Sequence, residues 1–364
     1  MRILFALPGL HRVDRGAEIA FLSVASELAR RGDEVTLIGS GPPRPDTPYK
    51  YIQVPVSSRE RFERLPHIPV FRSETVWEEA TFVPGLLRTY DPWAYDVTVT
   101  CSFPFTNWIL RKRKSGGKRP AHVFVTQNGD WPAFSEKAEF RFFGCDGLIC
   151  INPDYLERNQ QKYRSALIPN GVDTKRFTPG AAERERFGFP AEGPIVLMVS
   201  AMIASKNVDR GIEAVSRVPG ATLVVAGDGP MRSELQKQAD DLLPGRYRQV
   251  RVSPEDMPAL YRSADAFLHL SQDESFGNVY VEALACGVPI VAYDSARTQW
   301  ILGETGALAD PEVPDSVSGK LKEVISADSS ARQAPVARSK QFEWSEIARQ
   351  YRDFFERVLR ERAG

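Results

Sequence analysis

Short, fully apolar runs along the chain alternate with longer segments in which apolar residues recur every three or four positions. The run RILFALPG at 2–9 is followed by AEIAFLSVASELARRG, which ends at Gly32, and then by the apolar run EVTLIG. A short apolar run next to turn residues is typical of a buried strand, and the longer spacing is typical of an amphipathic helix. The first forty residues therefore predict a β-α-β unit.

The same alternation continues through the first half of the chain. Further strands are predicted at YIQVPV, DVTVT, HVFVT, GLICI and ALIPN. Strands that alternate with helices favour a parallel sheet flanked by helices. The stretch 66–96 breaks the pattern because it is aromatic and irregular, and we expect it to be a covering segment.

The second half repeats this organisation after a break. Residues 168–194 are rich in turn residues and charge, which is typical of a linker, and a new alternating series starts at PIVLMVSA. The chain ends in an amphipathic helix. We predict a Rossmann-like domain over 1–170 that is packed by the terminal helix 343–364, and a second Rossmann-like domain over 171–342. Ligands of such sheets bind beyond the carboxyl ends of the strands, so a cleft between the two domains is the expected active site.

Composition and charge narrow the function classes. The chain has 364 residues, with 47 Lys+Arg against 47 Asp+Glu, so no net charge favours nucleic acid as a partner. Its four cysteines show no metal-ligand spacing, which suggests small apolar residues in a reducing compartment. The sequence has no signal-peptide pattern and no run of about 18 consecutive apolar residues. We therefore expect a soluble cytoplasmic protein.

Candidate chemistry is concentrated in the stretch ESFGNVYVEALACGVPIV at 274–291. The preceding AFLHLS predicts a strand, and a helix is expected from Asn278, as its N-cap, to Cys286, with Gly287 in the turn that ends it. The free backbone N–H groups of 276–280 would then lie at the positive end of the helix dipole. Such a helix start attracts a phosphate or diphosphate.

Two glutamates, Glu274 and Glu282, bracket this helix start. A phosphate would repel them, and a carboxylate readily accepts two hydrogen bonds from a sugar diol. We expect Glu274 to meet one sugar and Glu282 another, which fits the sequence ribose, diphosphate, sugar of a nucleoside diphosphate sugar. The alternative is that Glu282 is a solvated helix residue and Glu274 an ordinary loop charge.

QDESFGNVYVEALACGVPIVA resembles the E-x7-E signature of retaining GT-B glycosyltransferases. IPNGVDTKRFTP, VVAGDGPMRSEL and EDMPALYRSADAFLHLS are similar to further landmarks of glycosyltransferase family 4, the glycosyl transferases group 1, as are segments near both ends. The resemblance implies a GT-B fold, α/β with two facing Rossmann-like domains and a deep inter-domain cleft. It also implies retaining, hexosyltransferase-type transfer from a UDP- or GDP-linked sugar to an acceptor hydroxyl, in glycan or glycoconjugate biosynthesis.

The resemblance also implies roles for individual residues. In the second domain, Glu274 would bind donor-sugar hydroxyls and Glu282 the ribose, while Lys206 would neutralise the diphosphate leaving group. Glu274 and Lys206 are thus the candidate catalytic residues. The sugar and diphosphate would also meet the loop and helix start formed by Ser275, Phe276, Gly277, Asn278 and Val279.

The first domain is expected to bind the acceptor and offers fewer candidates. Gly16, in the first β-α turn, allows close backbone approach to a diphosphate, and His11 in the same loop is a candidate for phosphate or acceptor contact. Asn128 follows the strand HVFVT and can hydrogen-bond to a sugar or an acceptor. The turn lacks the G-x-G-x-x-G pattern, which argues against a dinucleotide.

Two departures from the family pattern matter. Ala201 occupies a position where the family usually has an arginine, so a second cation must come from elsewhere, with Arg297, Arg12 and Arg15 as candidates. Asn128 lies in a loop where many relatives have a histidine, and it cannot act as a base. These departures keep open a non-catalytic nucleotide-sugar binder. A nucleotide-sugar epimerase is a further alternative, although only His269 offers a histidine near Glu274.

Transfer of this class, as the resemblance implies, requires charge stabilisation and positioning at the leaving phosphate. Lys206 and the helix start supply both without a metal, the sequence has no Asp-x-Asp triplet, and no cofactor is expected besides the donor substrate. The acceptor is a sugar, a lipid-linked molecule or a small molecule. Residues 103–119 combine aromatic residues with six cations, which suits weak peripheral contact with the inner face of a membrane. The alternative is a helix with cations at its carboxyl end.

Overall fold

The computed structural model describes residues 1–65, 68, 70–71, 73–112, 119–134, 138–328 and 332–363. It divides into two compact units. The first unit comprises Met1–Asn170 together with Trp344–Gly364, and the second comprises Gly171–Glu343.

The first unit is built on a parallel sheet. Its strands are β1 (Arg2–Ala6), β2 (Glu34–Gly39), β3 (Lys50–Gln53), β4 (Val97–Thr100), β5 (Ala121–Val125), β6 (Gly147–Cys150) and β7 (Ser165–Leu167). They lie in the order β3-β2-β1-β4-β5-β6-β7 among the described residues. Its first helices are α1 (Gly16–Arg30), α2 (Glu74–Thr89), α3 (Phe105–Leu110) and α4 (Pro153–Asn159). Strands β4, β5 and β6 are buried along their whole length, as expected for a parallel sheet covered on both faces.

The second unit repeats this plan with a smaller sheet. Its strands are β8 (Ile195–Val199), β9 (Thr222–Ala226), β10 (Tyr247–Val250), β11 (Ala266–His269), β12 (Ile290–Tyr293) and β13 (Gly306–Ala309). Its helices are α5 (Val208–Ser216), α6 (Arg232–Leu242), α7 (Met257–Arg262), α8 (Asn278–Ala285), α9 (Ala296–Leu302), α10 (Pro314–Ile325) and α11 (Gln333–Ser339). The strand order is β10-β9-β8-β11-β12-β13, all parallel. The order therefore reverses between β8 and β11, which is where sheets of this type bind ligands.

The terminal helix α12 (Trp344–Ala363) returns to the first unit and packs against α1. Its apolar face is buried, including Tyr351 and Phe355. Close packing depends on Gly147 in β6, because a Cβ atom there would lie 2.7 Å from Val358 and 2.9 Å from Phe354. The prediction of two α/β units built on parallel sheets is confirmed.

One stretch contradicts its sequence interpretation. Within 66–96, expected to be irregular, the structure has the sixteen-residue helix α2. The buried face of α2 has helical spacing, but two of its positions are the acids Glu78 and Glu79, which hide the apolar pattern. Pro84 inside the helix further weakens the sequence signal. The Glu79 carboxylate accepts a hydrogen bond from the Thr106 N–H at 2.6 Å. It therefore satisfies a backbone donor in the first turn of α3, where no intrahelical acceptor exists.

Candidate active site

The candidate residues of the second unit lie in the loops after β8 and β11, the two strands at which the strand order reverses. Lys206 ends a short 3₁₀ turn, Ala204–Lys206, and Glu274 lies between β11 and α8. Asn207 joins the two loops because its side-chain amide donates to the Leu270 carbonyl at 2.8 Å. Asn207 has a φ of +52°, a left-handed conformation that asparagine tolerates better than most residues.

Lys206 and Glu274 form an ion pair. Nζ of Lys206 donates to Oε1 of Glu274 at 2.6 Å, and the two side chains are only 17% and 22% exposed. The ammonium also donates to Oγ of Ser271 and to the Asp273 carbonyl, each at 3.2 Å. All three protons of the ammonium therefore have acceptors within the protein.

The Glu274 carboxylate uses its two oxygens differently. Oε1 accepts from Lys206 and also from Nε2 of His269 at 3.0 Å. Oε2 has no hydrogen-bond partner among the residues that the structure describes. Burial alone would raise the Glu274 pKa, but the hydrogen bonds and charges of His269 and Lys206 outweigh it and lower the pKa to about 2. Glu274 is thus an ionised carboxylate with one oxygen available to a ligand.

His269 is the site residue that sequence reasoning undervalued. It is the last residue of β11 and is 2% exposed. Its ring stacks on Phe267 at 6.0 Å and meets Tyr280 edge-on at 5.0 Å. The available signal was a polar residue inside the apolar run AFLHL, five residues before Glu274.

The start of α8 differs from the prediction by one residue. The residue before the helix is Gly277, with φ +86°, so Asn278 is the first helical residue and not the N-cap. Two features favour glycine at position 277. Its positive φ is unfavourable for other residues, and an added Cβ atom would lie 2.7 Å from the Tyr280 ring. The Tyr280 N–H donates to the Gly277 carbonyl at 3.0 Å, so the expectation of free N–H groups over 276–280 is wrong for residue 280. Gly287, with φ +70°, does follow the helix in the left-handed conformation.

The loop before α8 is anchored by its aromatic residue. Phe276 is buried and packs against Trp300 and Phe342, with ring centroids 6.2 and 6.0 Å away. Its side chain therefore faces the interior, and only its backbone is available to a ligand. The neighbouring candidates in this segment are half-buried, namely Ser275, Gly277, Asn278 and Val279.

Glu282 lies one turn into α8 and has a different environment. Its Oε2 accepts a hydrogen bond from the buried Tyr261 hydroxyl at 2.8 Å. Burial raises the pKa of Glu282 to about 7, although the Tyr261 hydrogen bond and the charge of Arg176 act in the opposite direction. The structure thus gives the two glutamates of the motif opposite pKa shifts.

The three arginines considered as replacements for the cation missing at Ala201 fall in different units. Ala201 is exposed in the loop after β8. Arg297 in α9 belongs to the same unit, and its charge and that of Glu274 both act on Tyr280, whose pKa burial raises. Arg12 pairs with Glu78 at 3.1 Å in the first unit, and Arg15 precedes α1 there. Arg297 is therefore the candidate whose charge reaches a neighbour of Glu274.

The remaining candidates belong to the first unit. Gly16 is the exposed first residue of α1, and Asn128 ends a 3₁₀ turn after β5 and is also exposed. The Asn128 amide donates to Sγ of Cys101 at 3.5 Å. His11 is buried, stacks on Tyr51 at 3.9 Å, and has partners on both ring nitrogens, the Pro42 carbonyl and the Tyr49 hydroxyl. Its ring therefore serves the packing of this loop.

The basic segment is only partly described. Of its six cations, those within 113–118 lie outside the described residues. Arg111, which follows α3, donates to the Phe142 carbonyl at 2.9 Å, and Arg119 pairs with Asp146 at 2.5 Å. Among the described residues, no helix has the length and apolar character needed to cross a membrane, and no group of His, Cys, Asp and Glu side chains is arranged to hold a metal ion.

Both halves of the chain match family models. Residues 15–176 match the model described as Glycosyltransferase Family 4, and residues 181–342 match the model described as Glycosyl transferases group 1. The chain is 28% identical to the D-inositol 3-phosphate glycosyltransferase of Mycolicibacterium smegmatis over 369 residues, which cover 91% of this chain and 83% of that protein.

Other relatives match over shorter segments. The lipopolysaccharide core biosynthesis glycosyltransferase LpsE of Rhizobium meliloti is 31% identical over 214 residues, or 57% of this chain and 61% of that protein. A GDP-mannose-dependent phosphatidylinositol monomannoside mannosyltransferase of Mycolicibacterium smegmatis is 33% identical over 177 residues, or 43% of this chain and 46% of that protein. The chain thus spans less than two thirds of the length of both.

Solved structures share the whole fold. A sucrose-phosphate synthase from Thermosynechococcus elongatus superposes with a TM-score of 0.78 at 21% identity and covers 99% of both chains. Anabaena HepE in complex with UDP and glucose gives a TM-score of 0.72 at 18% identity, with 98% of this chain and 99% of that chain covered.

Proposed function

This chain belongs to the family 4, group 1 glycosyltransferases of the GT-B fold, and on that premise we propose that it is a retaining, metal-independent hexosyltransferase. In this proposal the donor is a UDP- or GDP-linked sugar, and the acceptor is a hydroxyl. The second unit binds the donor, and the first unit binds the acceptor.

One observation carries the proposal: Glu274 keeps Oε2 available while Lys206 and His269 hold its Oε1. In the proposal, Oε2 accepts hydrogen bonds from donor-sugar hydroxyls. Lys206, beside it, is the cation for the phosphate that leaves. In this proposal Glu274 binds the sugar and Lys206 binds the departing diphosphate, and the two residues form one ion pair beyond the carboxyl ends of the adjacent strands β11 and β8.

The proposed chemistry needs no protein base. The acceptor oxygen attacks the anomeric carbon from the face that the diphosphate leaves. The bond between the anomeric carbon and the diphosphate oxygen breaks, and that departing oxygen takes the proton of the acceptor hydroxyl. The protein stabilises charge on that phosphate and positions the two reactants. Metal independence rests on Lys206 as the source of positive charge.

The names of the relatives guide the choice of substrates. Some relatives are named as GDP-mannose-dependent, and HepE is described with UDP and glucose, so both nucleotides belong in a test. The relatives' printed acceptors include inositol 3-phosphate and phosphatidylinositol monomannoside. We therefore propose a sugar, a lipid-linked molecule or a small polyol as the acceptor.

The test is turnover with a panel of UDP- and GDP-sugars and these acceptor classes, in the presence of a chelator. The proposal expects release of one nucleoside diphosphate and a product with the donor's anomeric configuration, read by NMR. An inverted product, or a strict metal requirement, contradicts the corresponding part of the proposal. Donor binding without turnover across the panel would instead favour the non-catalytic nucleotide-sugar binder.

A second candidate function, a nucleotide-sugar epimerase, is favoured by one contact. His269 lies 3.0 Å from Glu274, so a histidine does adjoin the acid. The two enzymes differ in what they do to the donor alone. NMR of the donor without any acceptor would show an epimerised sugar for the epimerase, and only unchanged donor or slow hydrolysis for the transferase.

A further inference from the structure

The histidine behind Glu274 lies where packing alone would favour an apolar residue. The other three residues of β11 are Ala266, Phe267 and Leu268, all buried. His269 is as buried as they are, and its Nδ1 has no hydrogen-bond partner among the described residues. A desolvated ring nitrogen without a partner destabilises the fold.

The contact with Glu274 fixes which ring nitrogen of His269 is the donor. Oε1 is an acceptor that already receives a hydrogen bond from Lys206, so Nε2 of His269, 3.0 Å away, must carry the proton that it donates to Oε1. Nδ1 is then the nitrogen left without a partner. The ring is therefore oriented for Glu274, although this orientation leaves its other nitrogen unsatisfied.

A second buried histidine provides the contrast. His122 in β5 is fully buried, and its Nδ1 and Nε2 contact Oγ1 of Thr98 at 2.9 Å and Nδ2 of Asn107 at 3.1 Å. That ring is satisfied on both sides, as expected for a histidine that serves the core. Among the residues that the structure describes, the His269 side chain has one polar contact, and that contact is with the Glu274 carboxylate.

We propose that His269 is a positioning residue that holds Oε1 of Glu274 so that Oε2 stays directed to the donor sugar, an inference that rests on the proposed function. Lys206 alone does not suffice, because all three of its protons are already engaged. When its ammonium turns toward a diphosphate, one of those contacts must be given up. His269 then keeps the carboxylate in place while the lysine changes partners.

The test compares His269→Leu, His269→Gln and the wild type in two binding measurements. Calorimetry with UDP and GDP reports diphosphate binding, and calorimetry with UDP-glucose and GDP-mannose adds the sugar. We expect His269→Leu to bind the diphosphates within about twofold of wild type but to lose at least about tenfold in affinity for the matching nucleotide sugar. Transfer should fall about a hundredfold, which is typical of a misplaced group. His269→Gln, whose side-chain amide can donate to Oε1, should restore most of the nucleotide-sugar affinity and most of the transfer rate.

Stability separates positioning from packing. His269→Leu loses the hydrogen bond to Glu274 but also removes a buried nitrogen that has no partner among the described residues, so its melting temperature should stay within about 2 °C of wild type. His122→Leu, the matched control, should lower the melting temperature because it removes the buried hydrogen bonds that the His122 ring makes with Thr98 and Asn107. A His269→Leu protein that is folded and binds and transfers like the wild type would overturn the proposal, as would equal losses for the diphosphate and the nucleotide sugar.

The result also separates this inference from the proposed function. If the wild type binds a nucleotide sugar but transfers it to no acceptor, the proposed function fails. The affinities for the diphosphate and for the nucleotide sugar still test the role of His269. If transfer occurs but the two affinities change together in His269→Leu, only the positioning role fails. If the wild type binds none of the four probes, both are overturned.

Discussion

Glu274 and Glu282 lie eight residues apart in one loop and helix, yet the folded chain shifts their pKa values in opposite directions, to about 2 and about 7. Hydrogen bonds and charges from Lys206 and His269 stabilise the ionised form of Glu274. Burial favours the protonated form of Glu282, whose Oε2 accepts a hydrogen bond from the Tyr261 hydroxyl. The two acids of the motif are thus physically distinct, and each makes a different prediction.

Glu282→Gln should stabilise the protein at alkaline pH. The folded-state pKa of Glu282 is raised above the ordinary value of 4.5, so the wild type loses stability as the pH rises through about 7. We expect the free energy of unfolding of Glu282→Gln to exceed that of wild type by about 1–2 kcal/mol at pH 8 and to match it at pH 4.5. Urea denaturation at both pH values measures this. The exposed Glu323→Gln is the control, and equal behaviour of the two variants would contradict the assignment.

Glu274→Gln should show the opposite dependence. The folded-state pKa of Glu274 is depressed, so its ionisation stabilises the fold above about pH 4.5, and that contribution is lost as the pH falls toward 2. At pH 7 we expect the variant to be less stable by about 1–3 kcal/mol. Denaturation curves from pH 7 to pH 3.5 should show the gap narrowing. A gap that stays constant over this range would show that ionisation of Glu274 is not its source.

Gly277→Ala should damage the loop before α8 more than its backbone strain alone explains. Gly277 has φ +86°, and an added Cβ atom would lie 2.7 Å from the Tyr280 ring. Gly245→Ala is the matched control, because φ is +73° there but no atom lies within 4 Å of the added Cβ. The control should lose about 1–2 kcal/mol from strain, and Gly277→Ala should lose more and also transfer more slowly. Equal losses would show that the loop adjusts to the clash.

Arg297 should supply the positive charge missing at Ala201. Its charge acts on Tyr280, next to Glu274. We expect Arg297→Ala to raise the donor KM at least about tenfold, which corresponds to the loss of one charged hydrogen bond. Adding Ala201→Arg should restore much of the affinity. If the double variant is no better than Arg297→Ala, the two positions do not serve the same ligand group.

Much of the fold was predictable because its elements carry their own sequence signals. Strands such as β6 and β8 are continuous apolar runs, and α12 shows an unbroken helical period. The positions of Lys206 and Glu274 followed from strand ends, since the carboxyl ends of neighbouring parallel strands meet at one edge of the sheet.

What the sequence did not show depends on contacts between distant residues. The different pKa values of the two glutamates arise from Tyr261, His269 and Lys206, which only the fold brings near them. Helix α2 was missed because buried acids occupy its inner face. The predicted start of α8 is wrong by one residue because the Tyr280 ring leaves no room for a Cβ atom at position 277, so a glycine precedes the helix. Spacing alone does not reveal this contact.

The central claim is that sugar transfer depends on the Lys206–Glu274 pair. Its most direct test is the initial rate of nucleoside diphosphate release in the presence of acceptor. Lys206→Ala and Glu274→Ala should each lower this rate at least about 10²- to 10³-fold, as expected when a group that stabilises developing charge is removed. Both should remain folded by circular dichroism. The control breaks an exposed pair, Lys320 and Glu323, which lie 2.8 Å apart in α10. Lys320→Ala should react at the wild-type rate, whereas near wild-type rates in Lys206→Ala and Glu274→Ala would contradict the account.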